Sequence, residues 1–80
     1  MNLPVLFFAS YADAFGTRRL ELPLALPCRV RDVVQQLRGL PGGARLPDAP
    51  LVAVNRVWVG LDAPIAQGDE VAVIPPVAGG

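Results

Sequence analysis

The alternation of apolar and polar residues in the first third of the chain predicts two β-strands. Leu3 to Ala9 (LPVLFFA) is a short apolar run with aromatic residues, which favours a strand. Thr17 to Leu24 (TRRLELPL) alternates, with leucines on one side and Arg19 and Glu21 on the other. This pattern predicts a half-buried strand that forms a hairpin with the first. Pro23 indicates an edge position or a strand end, because proline has no N–H for the sheet ladder.

The pattern then changes to a helical period. Residues 10–16 (SYADAFG) interrupt the apolar run and could form one helical turn. Residues 30–40 (VRDVVQQLRGL) place apolar side chains at helical spacing, which predicts an amphipathic helix. Gly39 and Pro41 end this helix. Its beginning is predicted to be weak, because Arg29 is a poor N-cap residue.

The second half of the chain contains three short apolar runs that predict strands: residues 51–55, 57–59 and 70–74. Residues 41–50 are dense in proline and glycine and are predicted to form a loop. Residues 61–68 are predicted to be a connector that ends at a turn through Gly68 and Asp69. The strand over 51–55 is interpreted as buried.

This order of elements predicts an α+β fold of the β-grasp type. We expect a mixed sheet of about five strands, with one main helix across one face. The first and last strands would lie side by side and parallel at the centre of the sheet. The sequence predicts a single domain over residues 1–80, with a flexible C-terminal tail at 75–80.

The two central strands are apolar on both faces, although a single helix can cover only one. The side chains expected on the uncovered face are Leu6, Phe8, Ala72 and Ile74, with Trp58 beside them. A contiguous apolar surface of this kind usually marks a site for a partner protein. The alternative is that loops fold over this face and keep it dry.

Composition excludes several classes of function. Seven basic residues balance seven acidic ones. This balance argues against a protein that binds nucleic acid or anionic membranes, which needs an excess of positive charge. No apolar run approaches the length that spans a bilayer, and no targeting segment is evident, so a cytoplasmic location is expected. The hydrophobic fraction of 52% exceeds what one small core can use and again favours a contact surface.

Side-chain catalysis is not supported by the residues present. The chain has no histidine, so the commonest general base is missing. Cys28 is the single cysteine; it cannot form an internal disulfide or a cysteine-based metal site, and a buried inert thiol is the favoured interpretation. The carboxylates of Asp62, Asp69 and Glu70 are expected to be solvated turn residues. No bound metal or cofactor is predicted, and alone the chain should catalyse nothing.

The remaining functional group is the carboxylate at the C-terminus. Pro75 and Pro76 stop the sheet ladder and favour an extended course. Gly79 and Gly80 have no Cβ, so they can enter a narrow cleft. An enzyme could activate a free carboxylate on Gly80 as an acyl adenylate, and a sulfur donor could convert that adenylate to a thiocarboxylate.

Several motifs resemble the small subunit of molybdopterin synthase, in the MoaD/ThiS family of sulfur carriers. They are VLFFA at 5–9, VN at 54–55, and GDEVA at 68–72 running into PPVAGG at 75–80. The resemblance covers nearly the whole chain, and its ending is the most specific part. It implies a ubiquitin-like fold and a functional diglycine at the C-terminus.

The resemblance also implies a reaction sequence and partners. Gly80 would be adenylated by an E1-like activating enzyme that uses ATP, and would then receive sulfur from a donor protein. The tail would enter the active site of the large synthase subunit, within a heterotetramer, and its sulfur would pass to cyclic pyranopterin monophosphate. The residues implied to contact partners are Phe8, Trp58, Ile74, Pro75, Pro76, Val77 and Ala78.

This chain departs from the family pattern at three positions. Arg29 stands where a threonine helix cap is frequent, Trp58 is bulkier than the usual aliphatic residue, and Ile74 replaces a frequent aromatic residue. Alternative functions remain open: a carrier for thiamine or cysteine synthesis, a modifier joined through Gly80 to lysines of target proteins, or a binding module with an incidental Gly-Gly. The Pro75-Pro76 pair favours molybdopterin synthesis over the other two carrier pathways.

Overall fold

A computed structural model describes residues 2–76, and the predictions made for Val77 to Gly80 lie outside the described residues. The strands in chain order are β1 (Asn2–Phe7), β2 (Arg19–Pro23), β3 (Cys28–Arg29), β4 (Leu51–Val54), β5 (Val57–Val59), β6 (Pro64–Ile65) and β7 (Val71–Ile74). The helices are α1 (Ala9–Phe15) and α2 (Val30–Arg38), and a short 3₁₀ helix covers Gly43–Arg45.

Five of the strands form one mixed sheet in the order β2-β1-β7-β4-β5. β1 and β2 form the predicted antiparallel hairpin, with Leu3 opposite Leu22. β1 and β7 are parallel neighbours at the sheet centre, with Leu6 beside Ala72. Both pairings were predicted, as was the edge position of the strand that contains Pro23.

Helix α2 packs its apolar stripe against one face of this sheet. The side-chain carboxylate of Asp32 accepts a 2.8 Å hydrogen bond from the backbone N–H of Arg29. The carboxylate also places negative charge in the first helical turn, where it interacts favourably with the helix dipole. The prediction of a weak helix start is therefore corrected, because the stabilising group comes from inside the helix. The helical residues buried in the core are Val30, Val33, Val34 and Leu37.

The end of the first strand differs from the prediction. β1 stops at Phe7, and Phe8 precedes a helix of seven residues where one turn was expected. Gly16 ends this helix in the left-handed conformation, at a φ of 74°. The ring of Phe15 then stacks on that of Phe7, with centroids 4.3 Å apart. The short helix therefore returns an aromatic side chain to the core.

The two predicted loops contain structure that the sequence pattern did not reveal. β6 lies within the connector 61–68 and pairs with β3, and its Ile65 is completely buried. The 3₁₀ helix lies within the loop 41–50, and Leu46 directly after it is also buried. Both elements are too short to show a period, yet β6 and the residue after the 3₁₀ helix each add one large side chain to the core.

Candidate functional site: the open face of the sheet

The sheet face opposite helix α2 is exposed across its centre. Phe8 is 46% exposed and Trp58 is 61% exposed, although both are large and apolar. Leu6, Ala72 and Ile74 are half-buried on the same face. No loop among residues 2–76 covers this face, so the alternative that loops keep it dry is wrong for the described chain. We call this surface the open face.

A row of directly paired residues crosses the open face from β1 to β5. Leu6 is paired with Ala72, Ala72 with Ala53, and Ala53 with Trp58. The two alanines project little from the sheet, while larger side chains stand on either side. They form the floor of a shallow trough of about 430 Å³. The residues lining it are Leu6, Phe8, Ala53, Arg56, Trp58, Glu70, Ala72 and Ile74.

At one end of the open face the trough is lined by apolar side chains. Ile74 is paired across strands with Leu51, which is 49% exposed, and both Ile74 and Phe8 are at this end. The sequence does not predict an exposed Leu51, because the apolar run over 51–55 is interpreted as a buried strand. Period-two alternation with the buried Val52 would have indicated that Leu51 faces the opposite side.

The chain leaves the sheet at this same apolar end. β7 stops at Ile74, and Pro75 is half-buried while Pro76 is exposed. The predicted partner contacts at Val77 and Ala78, and the reactive Gly79 and Gly80, lie outside the described residues. A partner bound at the apolar end of the open face would therefore lie beside the point from which the C-terminal segment departs.

The other end of the open face is charged. Arg56 and Glu70 line the trough there, and both are exposed. Neither has an ion-pair partner within 4.0 Å among residues 2–76, where the ion pairs are Arg19–Glu21, Arg29–Asp62, Arg31–Asp62 and Arg38–Asp48. The open face thus changes from charged to apolar along the direction of β7, from Glu70 to Ile74.

Arg56 lies in a tight turn that is hydrogen-bonded to the segment directly before β7. Asn55 and Arg56 connect β4 to β5 and both have positive φ angles, 52° and 69°. The backbone N–H of Asn55 donates to the carbonyl oxygen of Glu70 at 2.8 Å. The backbone N–H of Glu70 donates to Oδ1 of Asn55, and Nδ2 of Asn55 donates to Oδ1 of Asp69, each at 2.9 Å.

Asp69 lies at a turn, as predicted, and its carboxylate also fastens that turn. Its Oδ2 accepts a 2.8 Å hydrogen bond from the backbone N–H of Ala66. That bond, and after it the bond from Asn55, lowers the pKa of Asp69 below its ordinary range. We call the hydrogen-bonded group Asn55, Ala66, Asp69 and Glu70 the Asn55 clasp. It holds the turn before β5 against the turn before β7.

The remaining predicted candidates lie away from the open face. Asp62 is exposed and paired with Arg31, whose hydrogen bond and positive charge lower its pKa. Cys28 is half-buried rather than fully buried, and its pKa is raised by burial and then by the nearby Asp32 carboxylate. A raised pKa leaves little thiolate at neutral pH, which agrees with an inert thiol.

Neither a metal site nor a membrane segment emerges from the described residues. Across residues 2–76, no three side chains of the histidine, cysteine, aspartate or glutamate types converge as metal ligands would. Within that same range, neither helix has the length and apolar character that crossing a bilayer requires.

The fold and the open face together define a ubiquitin-like protein of the β-grasp class. The crystal structure of small archaeal modifier protein 1 from H. volcanii has the same fold, with a TM-score of 0.80 and 26% identity. That match covers 95% of this chain and 98% of the other. The subunit 1 and 2 complex of the molybdopterin-converting factor from Helicobacter pylori contains a chain of this fold at 21% identity and a TM-score of 0.72, with both chains fully covered.

Sequence comparison then gives the family. The model of the ThiS family matches residues 5–80, and this chain belongs to that family. The molybdopterin synthase sulfur carrier subunit of Escherichia coli is 37% identical to it over 81 residues, covering 98% of this chain and 99% of the relative. The resemblance found in the sequence is therefore confirmed: this is a ubiquitin-like protein of the MoaD/ThiS sulfur-carrier type.

Proposed function

We propose that this chain is the small subunit of a molybdopterin synthase, and that Gly80 carries sulfur as a C-terminal thiocarboxylate. In this proposal the folded body provides recognition and Gly80 provides the chemistry. The sulfur passes to cyclic pyranopterin monophosphate in the active site of a large synthase subunit. The observation that carries the proposal is the apolar open face, which ends where β7 delivers the chain toward its diglycine.

The comparisons support the choice of pathway. The family match extends through residue 80, so it includes the diglycine. The Escherichia coli relative is named as a molybdopterin synthase sulfur carrier subunit. The Helicobacter pylori structure contains subunits 1 and 2 of a molybdopterin-converting factor in one complex. By analogy, the large subunit is the partner that would cover the open face.

The activation chemistry requires an enzyme that this chain does not supply. A carboxylate oxygen of Gly80 would attack the α-phosphorus of ATP in an E1-like enzyme, and pyrophosphate would leave. A donor protein would then deliver sulfur at the oxidation level of hydrosulfide to the carbonyl carbon, and AMP would leave with the bonding electrons. The product is a thiocarboxylate. With no histidine in the sequence, this chain lacks the commonest proton-transfer group for such steps.

Mass spectrometry of the intact protein tests the thiocarboxylate directly. Co-expression with the cognate activating enzyme and sulfur donor should raise the mass by the difference between sulfur and oxygen. A variant that lacks Gly80 should show no increase, and Arg45→Ala, which changes an exposed side chain away from the open face, should behave as wild type. Wild-type protein that stays unmodified when the activating enzyme is fully active contradicts the proposal.

Binding to the large subunit tests the role of the open face. Ile74→Asp places a charge at the apolar end and should weaken binding, because burying an unpaired carboxylate is costly. Gln67→Asp introduces the same charge at an exposed position outside the trough and serves as the control. Circular dichroism should show both variants folded. Equal affinities for wild type and Ile74→Asp would rule out docking through this end.

A protein modifier is the second candidate, favoured by the structural likeness to small archaeal modifier protein 1. Gly80 would then be joined to lysine side chains of other proteins. The sequence contains no lysine, so copies of this chain could not be linked to each other in that way. An N-terminally tagged chain should give a ladder of larger species in cell extracts if it is a modifier. Absence of the ladder while thiocarboxylate is present favours the synthase subunit.

A further inference from the structure

We propose that Arg56 determines which partner the open face accepts, by pairing with a carboxylate of the docked protein. This inference rests on the proposed function, since it assumes that the large subunit covers the open face. The partner's contact surface would then carry a bulky apolar side chain for the trough and an acidic side chain beside it. Three features of Arg56 support this assignment.

The first feature is the position of Arg56 in the trough and its lack of an ion-pair partner among residues 2–76. Its side chain lines the trough together with Trp58, the most exposed aromatic residue on the open face. Four of the seven arginines pair with a carboxylate within residues 2–76, and Arg56 is not among them. An arginine offers a planar fork of donors that matches a carboxylate in two hydrogen bonds. Docking would provide the counter-charge that the described chain does not.

The second feature is the backbone conformation. Arg56 has a φ of 69°, in the left-handed region that glycine adopts without penalty. Turns of this kind between antiparallel strands favour glycine at the second position, after asparagine at the first. This chain has the expected asparagine at 55 but an arginine at 56. Glycine would adopt this φ without strain, so the arginine costs stability at this position. That cost indicates that the side chain of Arg56 has a role in binding and not in folding.

The third feature is rigidity. The Asn55 clasp fixes the residue before Arg56 by three hydrogen bonds of 2.8 to 2.9 Å. Trp58 follows two positions later in β5, paired with Ala53. The backbone of Arg56 is thus held by the clasp before it and by β5 after it. Less backbone conformational freedom is therefore lost when a partner binds. Rigid placement suits a group that selects between partners by charge.

The trough defines the rest of the partner's chemistry. Its alanine floor between Leu6 and Trp58 can receive one large apolar side chain, which would be fully desolvated there. An acidic residue next to that side chain would face Arg56. Glu70 lines the same end and also has no ion pair among residues 2–76, so a basic residue on the partner would complete the match. With Arg56 facing an acidic residue and Glu70 facing a basic residue of the partner, one docking orientation is favoured.

Isothermal titration calorimetry with the purified large synthase subunit tests the proposal. Arg56→Glu should weaken binding by at least about tenfold, because it faces a carboxylate with a like charge. Arg56→Lys keeps the charge but loses the planar fork, so its affinity should fall between those of wild type and Arg56→Glu. Arg45→Glu is the matched control, since Arg45 is exposed, forms no ion pair within residues 2–76 and lies outside the trough. It should bind within about twofold of wild type.

Salt dependence separates a charge contact from a change in shape. Wild-type affinity should fall more steeply with sodium chloride concentration than that of Arg56→Gln. Wild type that binds the large subunit with the same affinity as Arg56→Glu overturns this inference but leaves the proposed function standing. Wild type that does not bind at all overturns the proposed function itself. Self-association of wild type that Arg56→Glu abolishes would assign the face to a second copy and overturn the partner chemistry.

Discussion

The side-chain amide of Asn55 donates a 2.9 Å hydrogen bond to the carboxylate of Asp69, across fourteen positions of sequence. This bond joins the turn that carries Arg56 to the turn that starts β7. The two turns lie at the charged end of the open face, so the clasp links the stability of the sheet to the shape of that face.

Removing the Asn55 side chain should destabilise the protein by about 1–2 kcal/mol, because two hydrogen bonds are lost. Asn55→Gly is the informative variant, since glycine tolerates the φ of 52° and isolates the side-chain contribution. Urea denaturation followed by circular dichroism measures the change. Asn2→Gly, at the exposed start of β1, is the control and should cost much less. A loss no greater than in the control would mean that the clasp adds nothing.

Asp69 should make stability depend on pH in the acid range. Its hydrogen bonds lower its pKa in the folded protein below the ordinary value of 3.8, so the unfolded chain binds a proton more readily. The stabilisation is therefore fully present above that value and is lost as the pH falls through the lower pKa of the folded state. Denaturation midpoints of wild type and Asp69→Asn, compared from pH 7 downward, should differ most at neutral pH and converge in acid. A difference that is constant with pH would contradict this assignment.

Phe7 and Phe8 should respond in opposite ways to truncation. Phe7 is 2% exposed and stacks on Phe15, so Phe7→Ala should cost about 3–5 kcal/mol of stability. Phe8→Ala should cost little stability, because that side chain lies on the open face, but it should weaken binding to the large subunit. Thermal melts and calorimetry on the same two variants separate the effects. If Phe8→Ala were as destabilising as Phe7→Ala, the open face would belong to the core.

Gly43 should tolerate no side chain. A Cβ at this position would lie 2.1 Å from the carbonyl oxygen of Leu37 and 2.7 Å from backbone atoms of Arg38, and backbone cannot move aside as a side-chain tip can. Gly43→Ala is expected to cost about 1–3 kcal/mol through forced separation of the 3₁₀ helix from α2. Gly60→Ala is the matched control, because no atom would lie within 4 Å of its new Cβ. Equal melting temperatures for the two variants would show that the loop can shift freely.

The sequence predicted the sheet and the open face because both depend on period-two alternation. Val5 and Phe7 are buried while Leu6 and Phe8 are exposed or half-buried, which is the division that the pattern indicated. Leu51 shows the limit of that method. A run of apolar residues was interpreted as buried throughout, although this strand has one face on the core and one on the open face.

Other features could not be read from local pattern because distant residues create them. β6 exists because Pro64 and Ile65 meet Cys28 and Arg29, more than thirty positions earlier in the chain. The capping role of Asp32 depends on its side chain reaching back to the backbone of Arg29. The clasp depends on Asn55 meeting Asp69. In each case the feature arises from contact between particular residues, which the spacing of apolar positions does not reveal.

The central position of β7 has a consequence for how the protein is made. This strand lies between β1 and β4, yet among the strands of residues 2–76 it comes last in chain order, at residues 71–74. On the ribosome, a nascent chain that lacks them would have strand edges at the sheet centre without their partner, which invites aggregation and proteolysis. The sheet can therefore close only after residues 71–74 have been synthesised. A copy that survives cellular quality control is, by the same logic, one that has been synthesised at least as far as the base of its C-terminal segment.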